Sequence, residues 1–160
     1  MIHHFSFAAR DPKHVAEVIA VILGGEAQPF PPVAVGSWMA MAGDEHGTGV
    51  EVYPLGCELT PAEGDADSVG VMNDTPAPFV ATHAAMGTAL SEVEVHAIAA
   101  REGWISKYRK RGGVFGVIEF WVENRFMIEV LTAEMQAEYL AAATPAAWRA
   151  MLAAGRPAAA

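Results

Sequence analysis

The sequence predicts an α+β fold in which one βαβββ module occurs twice, forming curved mixed sheets around a shared cavity, with a short helical tail behind them. Three observations predict it. A strand, a helix and further strands run through residues 1–54, and the same order resumes over 80–132. Landmarks in the two stretches share one offset: His4 and His83 lie 79 positions apart, Glu51 and Glu129 78, the helix starts Asp11 and Ser91 80, and the helix-ending Gly24 and Gly103 79. A common offset across independent landmarks marks an internal duplication. Finally, each copy opens on a strand carrying a His and closes on a strand carrying a Glu between apolar neighbours.

The elements follow in order. IHHFSFAA (2–9) alternates as a strand, with Phe5 and Phe7 on one face and His4, Ser6 and Ala8 on the other. Asp11-Pro12 supplies a cap and a first-turn proline. Val15, Val18, Ile19, Ile22 and Leu23 then recur at helical spacing until Gly24-Gly25. Pro29, Pro31 and Pro32 confine any strand there to a short or edge position. SWMAMAGD and GTGVEVYP read as two strands around a turn. Residues 55–79, rich in Pro, Gly, Asp and Glu, read as a linker or lid-like loop.

The second copy begins with THAAMGTA as a strand and SEVEVHAIAAREGW as a helix capped by Ser91 and ended near Gly103. ISKYRKRG, GVFGVIEFWVEN and RFMIEVLT follow as three strands, with a hairpin turn at Asn124-Arg125. The tail, 133–160, is Ala-rich. Thr144-Pro145 caps the second of two short helices, and the last five residues are expected to fray.

Composition narrows the functional classes. Hydrophobic residues make up 52% and charged residues 18% of the 160, enough for a buried core. The net charge of −9 speaks against a nucleic-acid partner, which needs a cationic face. Lys107, Arg109, Lys110 and Arg111 cluster locally as a strand edge does. Cys57 is the only cysteine, which leaves no disulfide framework and no cysteine-based zinc site. The opening MIHHFSFAARDP has no leader pattern, and no apolar run is long enough to span a bilayer. A cytoplasmic protein with no membrane partner is expected.

The chemistry lies in four residues. Alternation places Glu51 and Tyr53 opposite Val50 and Val52, and Glu129 opposite Ile128 and Val130. The bulky face must meet the helix, so each carboxylate points into the concavity of its sheet. A carboxylate there is costly unless solvated, paired or bound to metal. Two imidazoles and two carboxylates, His4, Glu51, His83 and Glu129, make an N₂O₂ set suited to Zn²⁺, Ni²⁺, Fe²⁺, Co²⁺ or Mn²⁺, with positions left open for substrate. His3 belongs to the face of Phe5 and Phe7, while His14, His46 and His96 fall in helices or a turn. Tyr53, Glu119 and Trp121 share the cavity face, together with Arg109 as the anchor for an anionic substrate.

At these residues the sequence resembles the vicinal oxygen chelate superfamily, which includes glyoxalase I, bleomycin-resistance proteins and extradiol dioxygenases. HFSFAARD (4–11), GVEVYP (49–54), THAAMGT (82–88) and MIEVLT (127–132) look like its four metal-bearing strands, and the resemblance covers about residues 2–132. It implies paired βαβββ modules around a divalent metal, often in a homodimer. The His-Glu-His-Glu order looks most like the glyoxalase I branch, and implies Glu129 as a carboxylate alternating between ligand and general base, with Glu51 in the opposite proton role. Two positions depart from glyoxalase I. The Arg and the Asn that grip glutathione are replaced by Ala8 and Leu55, and the turn before the last strand is shortened to Glu123-Asn124-Arg125. The resemblance therefore implies a metal-dependent lyase or isomerase acting on a small oxygen-chelating molecule other than glutathione. The alternatives are an Fe or Mn dioxygenase and a drug-binding protein without enzymatic activity.

Overall fold

The computed structural model describes residues 2–30 and 32–154, and the chain divides into two compact units, Met1–Thr82 and His83–Ala160. Pro31 and the last five residues, read above as a strand breaker and a frayed end, lie outside the described residues.

In the first unit the elements run β1 (His4–Ala9), α1 (Pro12–Leu23), β2 (Glu26–Pro29), β3 (Trp38–Met41) and β4 (Gly49–Pro54). They form one sheet in the order β1-β4-β3-β2, parallel between β1 and β4 and antiparallel elsewhere. The proline-flanked β2 is the edge strand, as its sequence requires. Asp11 caps α1 by accepting from the His14 N–H, and Gly24 closes it in the left-handed conformation. Gly25 follows because the chain passes directly against Met41: a Cβ there would stand 1.8 Å from the Met41 carbonyl oxygen. Val15, Ile19 and Ile22 of α1 and Phe7, Ala40, Val50 and Val52 of the sheet are buried and form the core.

The segment read as a plain linker contains more than a loop. β5 (Cys57–Thr60) and β6 (Val69–Met72) pair antiparallel as a separate two-stranded sheet. Each has only four residues, and Glu58, Leu59, Val69 and Val71 are exposed, so no buried face imposes a clear alternation on the sequence.

The second unit repeats the first topology. β7 (Ala84–Gly87), α2 (Glu92–Glu102), β8 (Ile105–Arg111), β9 (Phe115–Val122) and β10 (Phe126–Leu131) give the order β7-β10-β9-β8, again parallel only between β7 and β10. Ser91 and Glu94 form a reciprocal capping box on α2, and Gly103 ends it. Val95, Ile98 and Ala99 pack with Ile118, Phe120, Ile128 and Val130 in a buried core. α3 (Ala133–Ala142) and α4 (Pro145–Ala153) follow, capped by Thr132 and Thr144. Among the described residues no helix is long and apolar enough to cross a membrane.

The β9–β10 turn is centred one residue earlier than expected. Glu123 and Asn124 both have positive φ, 49° and 56°. Asn tolerates that conformation, and its side chain also has work to do: Asn124 Oδ1 accepts from the Ile105 N–H at 2.7 Å, and Nδ2 donates to the Gly103 carbonyl at 3.1 Å. The turn is thereby tied to the end of α2 and the start of β8. Replacing Asn124 with Ala, which loses both bonds and strains the backbone, is expected to cost about 2 kcal/mol in denaturant unfolding, and Asn124→Gly, which relieves the strain alone, to cost less.

Candidate metal-binding half-sites

In each unit the His stands two residues ahead of the position registered with the Glu, His4 within β1 and His83 just before β7. In the first unit Ser6 is registered with Glu51, and His4 stands two residues before Ser6. In the second, Ala85 is registered with Glu129, and His83 stands two residues before Ala85. Alternation puts His4, Ser6, Glu51 and Tyr53 on the face away from α1, as the sequence predicts, and the register adds Met39 beside Glu51.

In the first unit the pair has converged. His4 Nε2 lies 3.7 Å from Glu51 Oε1. Glu51 is buried, and its other oxygen, Oε2, accepts a 2.7 Å hydrogen bond from the Tyr53 hydroxyl. Tyr53, expected on the substrate side of the site, holds this carboxylate in place. Burial first, and then the Glu51 carboxylate, push its phenol well above the ordinary value. His3, on the face of Phe5 and Phe7, has its Nδ1 2.6 Å from the His46 carbonyl oxygen. His96 meets Ser106 Oγ at 2.7 Å.

The second unit treats its carboxylate differently. Glu129 is buried and lies directly opposite Glu119 in the antiparallel ladder. Like charges so placed repel. Arg111 resolves the conflict: Nε and Nη2 donate to Glu129 Oε1 at 3.0 and 2.7 Å, and Nη2 lies 3.0 Å from Glu119 Oε1. Burial disfavours the guanidinium charge, but the bonds to Glu129 and the attraction of both carboxylates outweigh it and raise the Arg111 pKa. Arg109, the expected anchor, is exposed and donates to the Tyr108 carbonyl at 2.9 Å. Both arginines share the Glu119 face, so alternation did not separate them. Arg111 differs in standing at the end of β8. Trp121 is on the same face, and His83 lies exposed just before β7.

These donors suit a divalent metal. Two ligand atoms, each about 2.1 Å from one ion in tetrahedral geometry, stand roughly 3.4 Å apart, close to the His4–Glu51 separation. Within either unit, among the described residues, no group of three or more His, Cys, Asp or Glu gathers around one point. The first unit brings one such pair together, whereas in the second Glu129 is engaged by Arg111.

The second unit also contains an open cavity of about 630 Å³, lined by Glu129 together with Phe115, Tyr139, Trp148 and Arg149. A neighbouring space of about 320 Å³ is lined by Arg111, Phe115, Trp148 and Met151. Both draw walls from the C-terminal tail. The Ala-rich composition of that tail indicates helix and an apolar surface for a partner subunit, and carries no sign of a cavity wall.

No family model matches the chain, and no curated protein matches it. Solved structures do resemble it. The fosfomycin resistance protein FosX from Mesorhizobium loti is 14% identical, with a TM-score of 0.48 over 86% of this chain and 94% of that one. The trypanothione-dependent glyoxalase I of Leishmania major is also 14% identical, with a TM-score of 0.48 over 98% and 99%. A possible glyoxalase from Bacillus cereus is 14% identical, with a TM-score of 0.46 over 81% and 96%. These neighbours are members of the vicinal oxygen chelate superfamily. The fold itself is carried by the strand order and register of the two sheets, and the reactions of these proteins remain theirs.

The Tyr53–Glu51 bond has a testable consequence. The folded state holds the phenol proton more tightly than the unfolded chain, so its contribution to stability is complete below the ordinary phenol pKa of about 10 and is lost as pH rises through the raised value. One of the three tyrosines should ionise well after the others in an alkaline absorbance titration, and Tyr53→Phe should abolish that late step.

Proposed function

We propose that this chain is a metal-dependent lyase or isomerase of the glyoxalase type, acting on a small oxygen-chelating substrate other than glutathione. The observation that carries the reading is the repeated strand geometry: each module sets a His two residues ahead of the position registered with a buried Glu. The metal, one of Zn²⁺, Ni²⁺, Fe²⁺, Co²⁺ or Mn²⁺, would be held by His4 and Glu51 with His83 and Glu129, and would supply Lewis-acid polarisation of a substrate oxygen.

The chain's own groups do the rest. Tyr53 fixes Glu51 Oε2, which leaves Oε1 on the side of His4 as the ligand oxygen. Arg111 occupies Glu129 Oε1, so we assign Glu129 Oε2 to the proton transfer, with Glu51 in the opposite proton role. Ala8 is registered with Tyr53 on the site face and offers no cation where glutathione would need one, which supports a different substrate. Exposed apolar residues on the tail, Leu140 and Leu152, support a homodimer. A second reading, a small-molecule binding protein without catalysis, is favoured by the aromatic cavity of the second unit.

Elemental analysis of freshly purified protein separates the two. The enzyme reading expects one metal ion per chain, with affinity at least tenfold weaker in His4→Ala, His83→Ala and Glu129→Gln. Metal content that is substoichiometric and indifferent to all three substitutions would leave the binding protein. Oxygen uptake with a catechol would instead identify a dioxygenase.

A further inference from the structure

We infer that the C-terminal tail builds the substrate pocket of the second unit, and that this pocket takes an aromatic acid. The cavity that contains Glu129 has a volume of about 630 Å³, within the range that encloses a small organic ligand. Its walls are aromatic: Phe115 comes from β9, and Tyr139 and Trp148 come from α3 and α4. Phe115 and Tyr139 already meet edge to face, with ring centroids 5.1 Å apart. Trp148 remains 43% exposed while lining both cavities, so its indole is open to a ring laid against it.

Charge orients the ligand. Arg149 stands on the wall of the same cavity, exposed and without an acidic partner among the described residues. Glu129 stands on it too, but its charge is already met by Arg111. An anionic group is therefore drawn to Arg149, an aromatic ring fits among Phe115, Tyr139 and Trp148, and a hydroxyl or carbonyl oxygen is left for the Glu129 end. This deepens the metal reading by naming its substrate class, since the oxygen at Glu129 is the one that would reach the metal. The binding step itself needs no metal.

Calorimetric titration of the full chain with 2-naphthoate and with the neutral 2-naphthylmethanol tests the inference, each in the presence of a chelator and again after metal loading. Naphthoate should bind the wild type several-fold more tightly than the alcohol does. Arg149→Gln should erase that preference while leaving the alcohol's affinity within about twofold, and Trp148→Ala should weaken both ligands about tenfold or more. Circular dichroism of each variant distinguishes lost binding from lost folding. Equal affinity for the two ligands, or naphthoate binding unchanged in Arg149→Gln and Trp148→Ala, overturns the pocket. Binding that persists under the chelator in a protein that takes up no metal would uphold the pocket and remove the metal reading alone.

Discussion

The burial of a carboxylate on the open face of each four-stranded sheet is the constraint on which the rest depends. Glu51 and Glu129 are each only 9% exposed, on strands whose opposite face is packed against a helix. An ionised group so placed must be compensated, because the protein interior replaces the solvation it loses only through hydrogen bonds or opposite charge. The fold meets that demand twice, with different chemistry. Tyr53 donates to Glu51 from two residues along the same strand, while Arg111 reaches Glu129 from two strands away.

That difference shows how the two copies have diverged. The strand order, the parallel first and last strands and the glycine-ended helices are common to both. The partner opposite the carboxylate is not. Glu51 faces Met39 across the antiparallel ladder, and Glu129 faces Glu119. A second acid beside Glu129 makes a cation obligatory there, whereas the first unit manages with a neutral phenol. The second unit is thus the more polar at its carboxylate, and an open cavity there includes that carboxylate.

The tail follows from the same asymmetry. Gln136 of α3 donates to the carbonyls of Thr88 and Leu131, which anchors the helix beside the ends of β7 and β10. Glu138 binds Lys110 and the Gly116 N–H. With α3 held at both places, Tyr139 is brought against Phe115, and the short turn at Thr144-Pro145 lets α4 set Trp148 and Arg149 on the cavity wall. A segment of weak helical amphipathicity is positioned by polar contacts to the sheet.

Much of this was legible from residues alone, where a local rule decides the outcome. Asp11, Ser91, Gly24 and Gly103 mark helix ends because caps act over three or four residues, and strict alternation assigns Glu51, Tyr53, Glu119 and Glu129 to the open face. The duplication is legible because equal spacing survives divergence of side chains. Long-range contacts were not legible. Alternation puts Arg109 and Arg111 on one face but cannot say which guanidinium reaches Glu129, since that depends on where β8 ends against its neighbours. The β5–β6 hairpin escaped because no buried face writes a pattern into exposed four-residue strands. The sequence by itself determined the doubled module and which carboxylates face inward, because both follow from spacing along the chain. Only the tertiary structure decided that the Tyr53 hydroxyl closes onto Glu51, that Arg111 reaches Glu129 and that the tail walls the cavity: alternation sets Tyr53 and Glu51 on one face without fixing their rotamers, and the other contacts join residues whose separation in sequence carries no period.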